Sequence, residues 1–347
     1  MRLQSFIGGT PLLELTTLDI PRHVRIFAKL EFLNPGGSIK DRVVSYILDD
    51  AERRGILRSG STIVENTSGN TGAAIAMLAA MRGYKAILTM PDKVSKEKQN
   101  ALTAMGADVV VCLTSAPPDS PGHYVATARR VHAETPNSFM LNQYDNPLNA
   151  EAHFRSTGPE IWAALGKQIS AFVASGSTGG TISGIGRYLR AKNPAIDIVL
   201  LDPLGSIYHK YFHQGVVDPG QIAPYHVEGV GEDHLAKCMD FSVLSDVLQF
   251  SDADAFATCH HLARSEGLLC GGSSGANVWG AIQLARRMKE PGSIVTVLPD
   301  NGVKYISKIY NDEWLVDHEM RPFRDPGTLV PKRDASFVPD KHLMPNL

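Results

Sequence analysis

Residues 34–42 read NPGGSIKDR and place Lys40 directly after a glycine pair and before a helical pattern. Two further loops combine small residues with hydroxyls: residues 67–72 read TSGNTG, and residues 176–181 read GSTGGT. Each loop joins a β-rich run to an amphipathic run, so its backbone N–H groups and a helix N-terminus can bind an anion. The sequence therefore predicts one site built from a lysine and two anion-binding loops.

The chain around these loops alternates short β-rich runs with amphipathic runs, which is typical of an α/β fold with mainly parallel strands. Strands are predicted at residues 25–30, 62–64, 85–89, 108–112, 171–174, 196–201 and 293–298. Helices are predicted at residues 41–53, 70–82, 95–105, 124–135, 149–165, 179–191, 253–266 and 274–288. Residues 321–347 show no clear period, and we expect a tail without a core of its own.

The composition excludes several classes of protein. Of the 347 residues 43% are hydrophobic and 20% charged, as in ordinary globular proteins, and the net charge of −2 predicts neither a nucleic-acid nor a membrane partner. No apolar run reaches the roughly 20 residues of a membrane span, and no signal-peptide pattern opens the chain, so we expect a cytoplasmic protein. The four cysteines make no CxxC pair, and residues 259–261 (CHH) fall in a helical pattern, so no metal site is expected.

Taken in order, the three loops resemble those of the fold type II pyridoxal phosphate enzymes, the family of cysteine synthase and cystathionine β-synthase. The resemblance covers roughly residues 5–320. It implies an α/β fold of two lobes like tryptophan synthase β, each with a mainly parallel twisted sheet flanked by helices, and pyridoxal 5′-phosphate between them. The smaller lobe is expected at residues 43–148 and the larger at 1–42 with 149–320. A homodimer acting on small amino acids is also expected.

The resemblance makes Lys40 the Schiff-base lysine, whose pKa falls when it is buried or lies near a cation. Without the other motifs, Lys40 would read as a solvated lysine at a helix start. Cofactor binding is predicted for Lys40, Asn70, Gly176, Ser177, Thr178, Gly179, Gly180, Thr181, Ser273, Pro299 and Asp300. Substrate binding is predicted for Thr67, Ser68, Gly69, Thr71, Gln143, Glu228 and Gly229.

Two of these residues carry specific roles by resemblance. Asn70 is expected to hydrogen-bond the cofactor's ring hydroxyl, and Ser273 to face the pyridine nitrogen. A neutral hydroxyl does not enforce a protonated ring, as an aspartate would. The ring is then a weaker electron sink, which favours β-elimination and β-replacement over transamination. The simpler reading of Ser273 and of the 67–72 loop is helix capping, and both readings can hold.

The donor is expected to be serine or an O-activated serine, and the acceptor rests mainly on Glu228. The stretches at 91–95, 202–207, 225–232 and 311–314 favour cystathionine β-synthase. Cysteine synthases lack the glutamate at position 228, and a carboxylate there could pair with the ammonium of homocysteine. Sulfide has no ammonium group with which Glu228 could pair. A solvated surface glutamate is the other reading.

Some alternatives stay open. Ser177 stands where many relatives have glycine, and a serine there also occurs in relatives that join O-phosphoserine to glutamate as a diaminopropionate precursor. A cysteine synthase using sulfide, and an inactive pyridoxal-type scaffold that binds partners, are the remaining alternatives. The chain shows neither the haem-binding extension nor the regulatory pair of the animal enzyme, so haem control and adenosylmethionine activation are not expected.

Overall fold

The computed structural model describes residues 3–67, 69–92, 94–117 and 120–322. Its strands are β1 (Leu12–Leu15), β2 (Val24–Leu30), β3 (Thr62–Asn66), β4 (Lys85–Pro91), β5 (Asp108–Cys112), β6 (Ser138–Met140), β7 (Ile169–Ser175), β8 (Asp197–Pro203), β9 (Asp246–Phe250) and β10 (Gly292–Leu298). Its α-helices are α1 (Lys40–Arg53), α2 (Asn70–Arg82), α3 (Lys96–Ala104), α4 (Tyr124–Glu134), α5 (Leu148–Arg155), α6 (Thr157–Leu165), α7 (Gly180–Lys192), α8 (Tyr208–Gln214), α9 (Asp252–His261), α10 (Gly272–Arg287) and α11 (Asp312–Asp317).

The strands form two sheets. The larger has the order β1-β2-β10-β7-β8-β9, and the smaller has the order β5-β4-β3-β6. Every pairing is parallel except that of β1 with β2 at one edge of the larger sheet. The predicted α/β class with mainly parallel sheets is therefore confirmed.

Both faces of the larger sheet are covered, as parallel sheets require. Along β2, Ile26 and Ala28 belong to the core beneath α9 and α10, while Phe27 belongs to the core beneath α6 and α7. Along β10, Ile294 and Val295 divide between the same two cores. This alternation with period two explains why these strands read as continuous apolar runs.

A third core joins α1 and α2 to the smaller sheet. Val44 and Ile47 of α1 pack with Ile75 of α2 and Ile63 of β3, and all four side chains are fully buried. Burying such a side chain contributes roughly 1.5–3 kcal/mol. Because α1 begins at Lys40, this packing holds the backbone that carries the lysine.

The structure adds three strands and two helices that the sequence patterns did not indicate: β1, β6, β9, α8 and α11. The single helix predicted at 149–165 is wrong, since α5 and α6 are separated at Ser156. Pro159 has no N–H to donate to residue 155, and the Ser156 hydroxyl bonds back to the Ala152 carbonyl at 2.7 Å. The helix predicted at 253–266 ends as a π-helical turn over Leu262–Glu266.

The division into lobes at residues 43–148 and 149–320 stays a prediction. The smaller sheet draws its strands from residues 62–140, and the larger sheet draws its own from 12–30 and 169–298. Most of the expected tail, from residue 323 onward, lies outside the described residues.

Candidate active site

Lys40 is the first residue of α1 and lies against the end of β10. The backbone N–H of Ile39 donates to the Pro299 carbonyl at 2.8 Å, which fixes the approach to the helix. Gly37 has φ +76°, a conformation that glycine adopts without strain. Burial lowers the pKa of Lys40, and the nearby Asp300 opposes that shift. The lysine is thus biased toward the neutral amine that can attack a carbonyl.

Asp300 joins the starts of three helices. Its backbone forms a bridge with Ser38 before α1, and its carbonyl accepts from Gly271 N before α10 at 3.1 Å. Its Oδ2 accepts from Asn70 Nδ2 of α2 at 2.8 Å and from the Tyr305 hydroxyl at 2.7 Å. Burial raises the pKa of Asp300. Its Oδ1 is buried and has no hydrogen-bond partner among the described residues.

Lys304 completes this network and was missed from the sequence. Its Nζ donates to Asn70 Oδ1 at 2.6 Å and to the Gly37 carbonyl at 3.4 Å. Burial lowers the pKa of Lys304, while Asp300 and Asp41 oppose the shift. A lysine four residues beyond Asp300 in the loop after a strand was the available signal.

The anion cradle, residues 176–181, leads from β7 into α7. Gly179 has φ +82°, and a Cβ there would lie 2.4 Å from Met239 Cα, so only glycine fits. The Thr178 hydroxyl accepts from Gly180 N at 3.4 Å and from Asn149 Nδ2 at 3.0 Å. The glycine turn, hydroxyls and helix N-terminus suit a phosphate.

The start of the cradle is tied to a second loop. Gly231 N donates to the Gly176 carbonyl at 2.8 Å, and the Ser177 hydroxyl donates to Glu232. The Tyr208 hydroxyl donates to the Ser177 carbonyl at 2.7 Å. The sequence did not single out Glu232, although it ends the stretch 225–232.

The 67–72 loop precedes α2. The Thr67 hydroxyl accepts from Gly72 N at 3.2 Å and from Gly69 N at 3.4 Å. The Thr71 hydroxyl donates to Gln143 Oε1 at 2.7 Å, so two predicted carboxylate-binding residues are brought together. Ser68 lies outside the described residues.

Asn149 connects this loop with the cradle, and the sequence did not indicate it. Its Nδ2 donates both to the Gln143 carbonyl, at 2.8 Å, and to Thr178. Ser273 lies in the first turn of α10, only 7% exposed. Asn277, one turn later, is anchored to the Val297 carbonyl at 2.8 Å. That Ser273 faces a ring nitrogen, and that Thr181 helps to hold a phosphate, stay predictions.

Glu228 lies in an ion-paired cluster, the rim cluster, with Lys98 and Lys308. Each lysine Nζ is 2.7 Å from one carboxylate oxygen, and the Lys98 Nζ also lies 5.0 Å from the Tyr305 ring centroid. Burial raises the pKa of Glu228, but the two lysines outweigh it and the net shift is downward. The Glu228 carboxylate thus already has two cationic partners. Contact of Glu228 and of the adjacent Gly229 with substrate stays a prediction.

The side chains of residues 259–261 diverge, as the helical spacing predicts. The Cys259 Sγ contacts the Gly271 carbonyl at 3.3 Å, the His260 ring contacts the Ile309 carbonyl, and the His261 ring contacts Thr17. In the described part of the chain, one trio of potential metal ligands lies within 4.8 Å of one another: Glu232, Asp233 and His234.

These residues fit a phosphate-bearing aldehyde. Lys40 supplies an amine with a lowered pKa, the cradle needs a glycine at 179, and Asp300 keeps an unsatisfied buried oxygen. The fold and the site are therefore those expected of an α/β enzyme that uses an aldehyde cofactor. The chain belongs to the pyridoxal-phosphate dependent enzyme family, whose model matches residues 3–300.

Comparisons with individual proteins refine this assignment. Cystathionine β-synthase of Apis mellifera is 41% identical over 92% of this chain, which spans 62% of that enzyme's length. A probable cysteine synthase of Bacillus subtilis is 40% identical over 87% of this chain and 94% of its own length. The crystal structure of the O-acetylserine dependent cystathionine β-synthase from Helicobacter pylori matches with a TM-score of 0.81 and 35% identity. It covers 88% of this chain and 97% of that one.

Pyridoxal phosphate is therefore the cofactor of this family's chemistry, as predicted. Across the ranges that the structure describes, no helix has the length and apolarity needed to cross a membrane.

Proposed function

We propose that this chain catalyses β-replacement on an O-activated serine, with homocysteine as acceptor and cystathionine as product. The similarity to two cystathionine β-synthases, one O-acetylserine dependent, supports both substrates. When bound, pyridoxal phosphate draws electrons from the Cα of an amino acid and so allows the Cβ substituent to leave.

The observation that carries this proposal is the network around Asp300. It holds Lys40, Asn70 and the start of α10 in one arrangement through contacts from three helix N-termini. Lys40, with its lowered pKa, can hold the cofactor covalently and then move a proton at Cα. Preorganised polar groups of this kind account for much of an enzyme's rate enhancement.

Substrate orientation falls to the 67–72 loop and Gln143. The Thr71 hydroxyl and the Gln143 amide already contact each other, so both are placed to bind one carboxylate. The first turn of α2 adds backbone N–H groups and a favourable dipole. Ser273, a hydroxyl rather than an acid, suits β-replacement better than transamination.

A cysteine synthase using sulfide is the second candidate. The ion pairs of Glu228 favour it, because a carboxylate bound by Lys98 and Lys308 is less available to an ammonium. The bond between Ser177 and Glu232 leaves open the third candidate, which joins O-phosphoserine to glutamate.

The test combines three donors (serine, O-acetylserine and O-phosphoserine) with three acceptors (homocysteine, sulfide and glutamate) and identifies products by mass. Cystathionine formed fastest from O-acetylserine is the expected result. Faster formation of cysteine, or of the glutamate adduct, would replace the proposal with the second or third candidate. A protein that stays colourless and binds no pyridoxal phosphate after purification and reconstitution would support the remaining alternative, an inactive scaffold that binds partners.

We also propose a homodimer in the cytoplasm. Support for the dimer is the family resemblance and the exposed Leu13 on the edge strand β1. Support for the cytoplasm is that all four cysteines are free and buried. Light scattering of the purified protein tests the dimer, and fractionation of the source cells tests the location.

A further inference from the structure

Glu232 has a fixed backbone position beside the anion cradle. Gly231 N donates to the Gly176 carbonyl at 2.8 Å. Glu232 N donates to Ser206 Oγ at 3.0 Å, and the Glu232 carbonyl accepts from Ile207 N at 3.1 Å. These bonds fix the backbone of Glu232 and with it the direction of its Cα–Cβ bond.

The carboxylate of Glu232 is built into the site yet lacks a strong cation. The side chain is 13% exposed, and it accepts a hydrogen bond from the Ser177 hydroxyl, while the nearby Tyr144 hydroxyl opposes the rise of its pKa. The His234 ring lies beside it, with Nδ1 3.5 Å from Oε2, and no lysine or arginine in the described ranges forms an ion pair with it. Burial raises the pKa of Glu232, and the exposed Asp233 adds to the shift. Such a carboxylate gains most from a positively charged ligand.

Aromatic groups lie within the field of this carboxylate. Burial first, and then the charge of Glu232, raises the pKa of four phenols: Tyr124, Tyr144, Tyr208 and Tyr225. A carboxylate together with aromatic rings is the combination that recognises an ammonium group.

Glu232 lies beside the cradle, because its carboxylate accepts from Ser177. A group bound at Glu232 would therefore lie close to the predicted phosphate position. Glu228, by contrast, is neutralised by two lysines.

We propose that Glu232, oriented by Ser177, binds the ammonium group of the acceptor amino acid and so favours an amino-acid thiol over sulfide. This assignment rests on the proposed β-replacement with homocysteine. It makes Glu232, which the sequence analysis did not single out within the stretch 225–232, the specificity-determining residue of the second half-reaction.

The test compares Glu232→Gln with the wild-type holoenzyme on three acceptors at saturating O-acetylserine. The acceptors are homocysteine, 4-mercaptobutyrate (the same thiol without the ammonium) and sulfide. Glu232→Gln should lower kcat/KM for homocysteine about 10- to 100-fold, the value of a hydrogen bond to a charged group, and change the other two by less than about 3-fold. Asp233→Asn removes a neighbouring but exposed charge and should change no ratio between acceptors.

Two measurements separate this role from a structural one. Glu232→Asp keeps the charge and should recover part of the preference for homocysteine over 4-mercaptobutyrate. Pyridoxal phosphate content, read from the absorbance of the protein, should match the wild type in both variants, because an amide or a shorter acid can still accept from Ser177.

Equal loss with all three acceptors, or lost cofactor, would overturn the proposal and leave Glu232 a support of the cradle. Selective loss in Glu228→Gln instead would move the ammonium site to the rim cluster. If the wild type uses sulfide but not homocysteine, the proposed function fails before any variant is compared. If the wild type uses homocysteine and Glu232→Gln keeps its preference, the inference alone fails.

Discussion

Glu228 and Glu232 stand four residues apart in one loop, and their carboxylates have opposite surroundings. Glu228 pairs with Lys98 and Lys308, each at 2.7 Å, and the net shift of its pKa is downward. Glu232 accepts from the Ser177 hydroxyl, and the net shift of its pKa is upward. Both side chains lose solvent on folding, so their partners, rather than burial, decide the difference.

The two carboxylates belong to two sides of the site. The rim side contains the rim cluster, where opposite charges already balance one another. The cradle side contains residues 176–181 and Glu232, a largely buried acid that forms no ion pair with a lysine or arginine of the described residues. The comparison teaches that an acid singled out from the sequence is a poor guide to specificity unless its existing partners are known.

The largest effect is expected from Lys40→Ala, which removes the reaction that both sides serve. Turnover should fall by at least about 10³-fold, because the variant loses both the covalent attachment and the proton-transferring amine. The measurement is steady-state product formation, with Lys85→Ala, an exposed lysine at the start of β4, as the control. Activity near the wild-type level in Lys40→Ala would contradict the proposed role of Lys40 in binding the cofactor and transferring a proton.

A third acid, Glu65 of β3, sharpens the comparison because backbone N–H groups are its donors. It is 1% exposed and accepts from Asn142 N at 2.8 Å, and burial raises its pKa from the ordinary 4.5 to about 7. The folded state thus holds a proton that the unfolded chain releases at lower pH. The free energy of unfolding should fall as pH rises from about 4.5 to about 7, by roughly 3 kcal/mol.

Glu65→Gln cannot ionise and should not show this fall. Chemical denaturation at pH 5 and pH 8 gives the free energy of unfolding of both proteins. The free energy of the variant minus that of the wild type should be larger at pH 8 than at pH 5. A difference between the two proteins that stays constant with pH would contradict the assignment.

Gly179→Ala tests the cradle side directly. The new Cβ would lie 2.4 Å from Met239 Cα at φ +82°, so the turn must move, at a cost of about 1–3 kcal/mol for overpacking. Affinity for pyridoxal phosphate, measured by titration of cofactor-free protein, should fall about tenfold or more. Gly83→Ala is the matched control, since Gly83 has φ +74° but no atom within 4 Å of the new Cβ. Equal affinities in both variants would place the phosphate elsewhere.

The smallest effect is expected from Glu228→Gln on the rim side. Its two ion pairs are partly exposed, with the Glu228 side chain at 34%, so stability should change by less than about 1 kcal/mol. Thermal unfolding checks this, and kcat/KM for homocysteine should change by less than about 3-fold. A selective loss with homocysteine would give the rim side the role proposed for the cradle side.

Much of the framework was predictable from local patterns. The strand at 108–112 and the helix at 70–82 agree residue for residue with β5 and α2, because apolar period and polar ends coincide there. Lys40, the 67–72 loop and the cradle were proposed as site residues because glycines and hydroxyls mark loops before helices. The resemblance to a family supplied their roles.

The rest depends on contacts between distant residues. Lys304, Asn149 and Glu232 act through partners 234, 29 and 55 positions away, so the local sequence could not show which residues they contact. The pairing of Glu228 with Lys98 likewise spans 130 positions. The short strands β1, β6 and β9 lack a long apolar run, and their pairing with neighbouring strands places them in the sheets.

The most direct test of the central claim is where the cofactor attaches. Borohydride reduction of the holoenzyme fixes the bond between the aldehyde and its lysine, and peptide mass spectrometry then locates the label. The site geometry predicts one phosphopyridoxyl group, on Lys40, and none on Lys98, Lys304 or Lys308. A label on one of those three lysines, or none at all on a protein saturated with pyridoxal phosphate, would contradict the account.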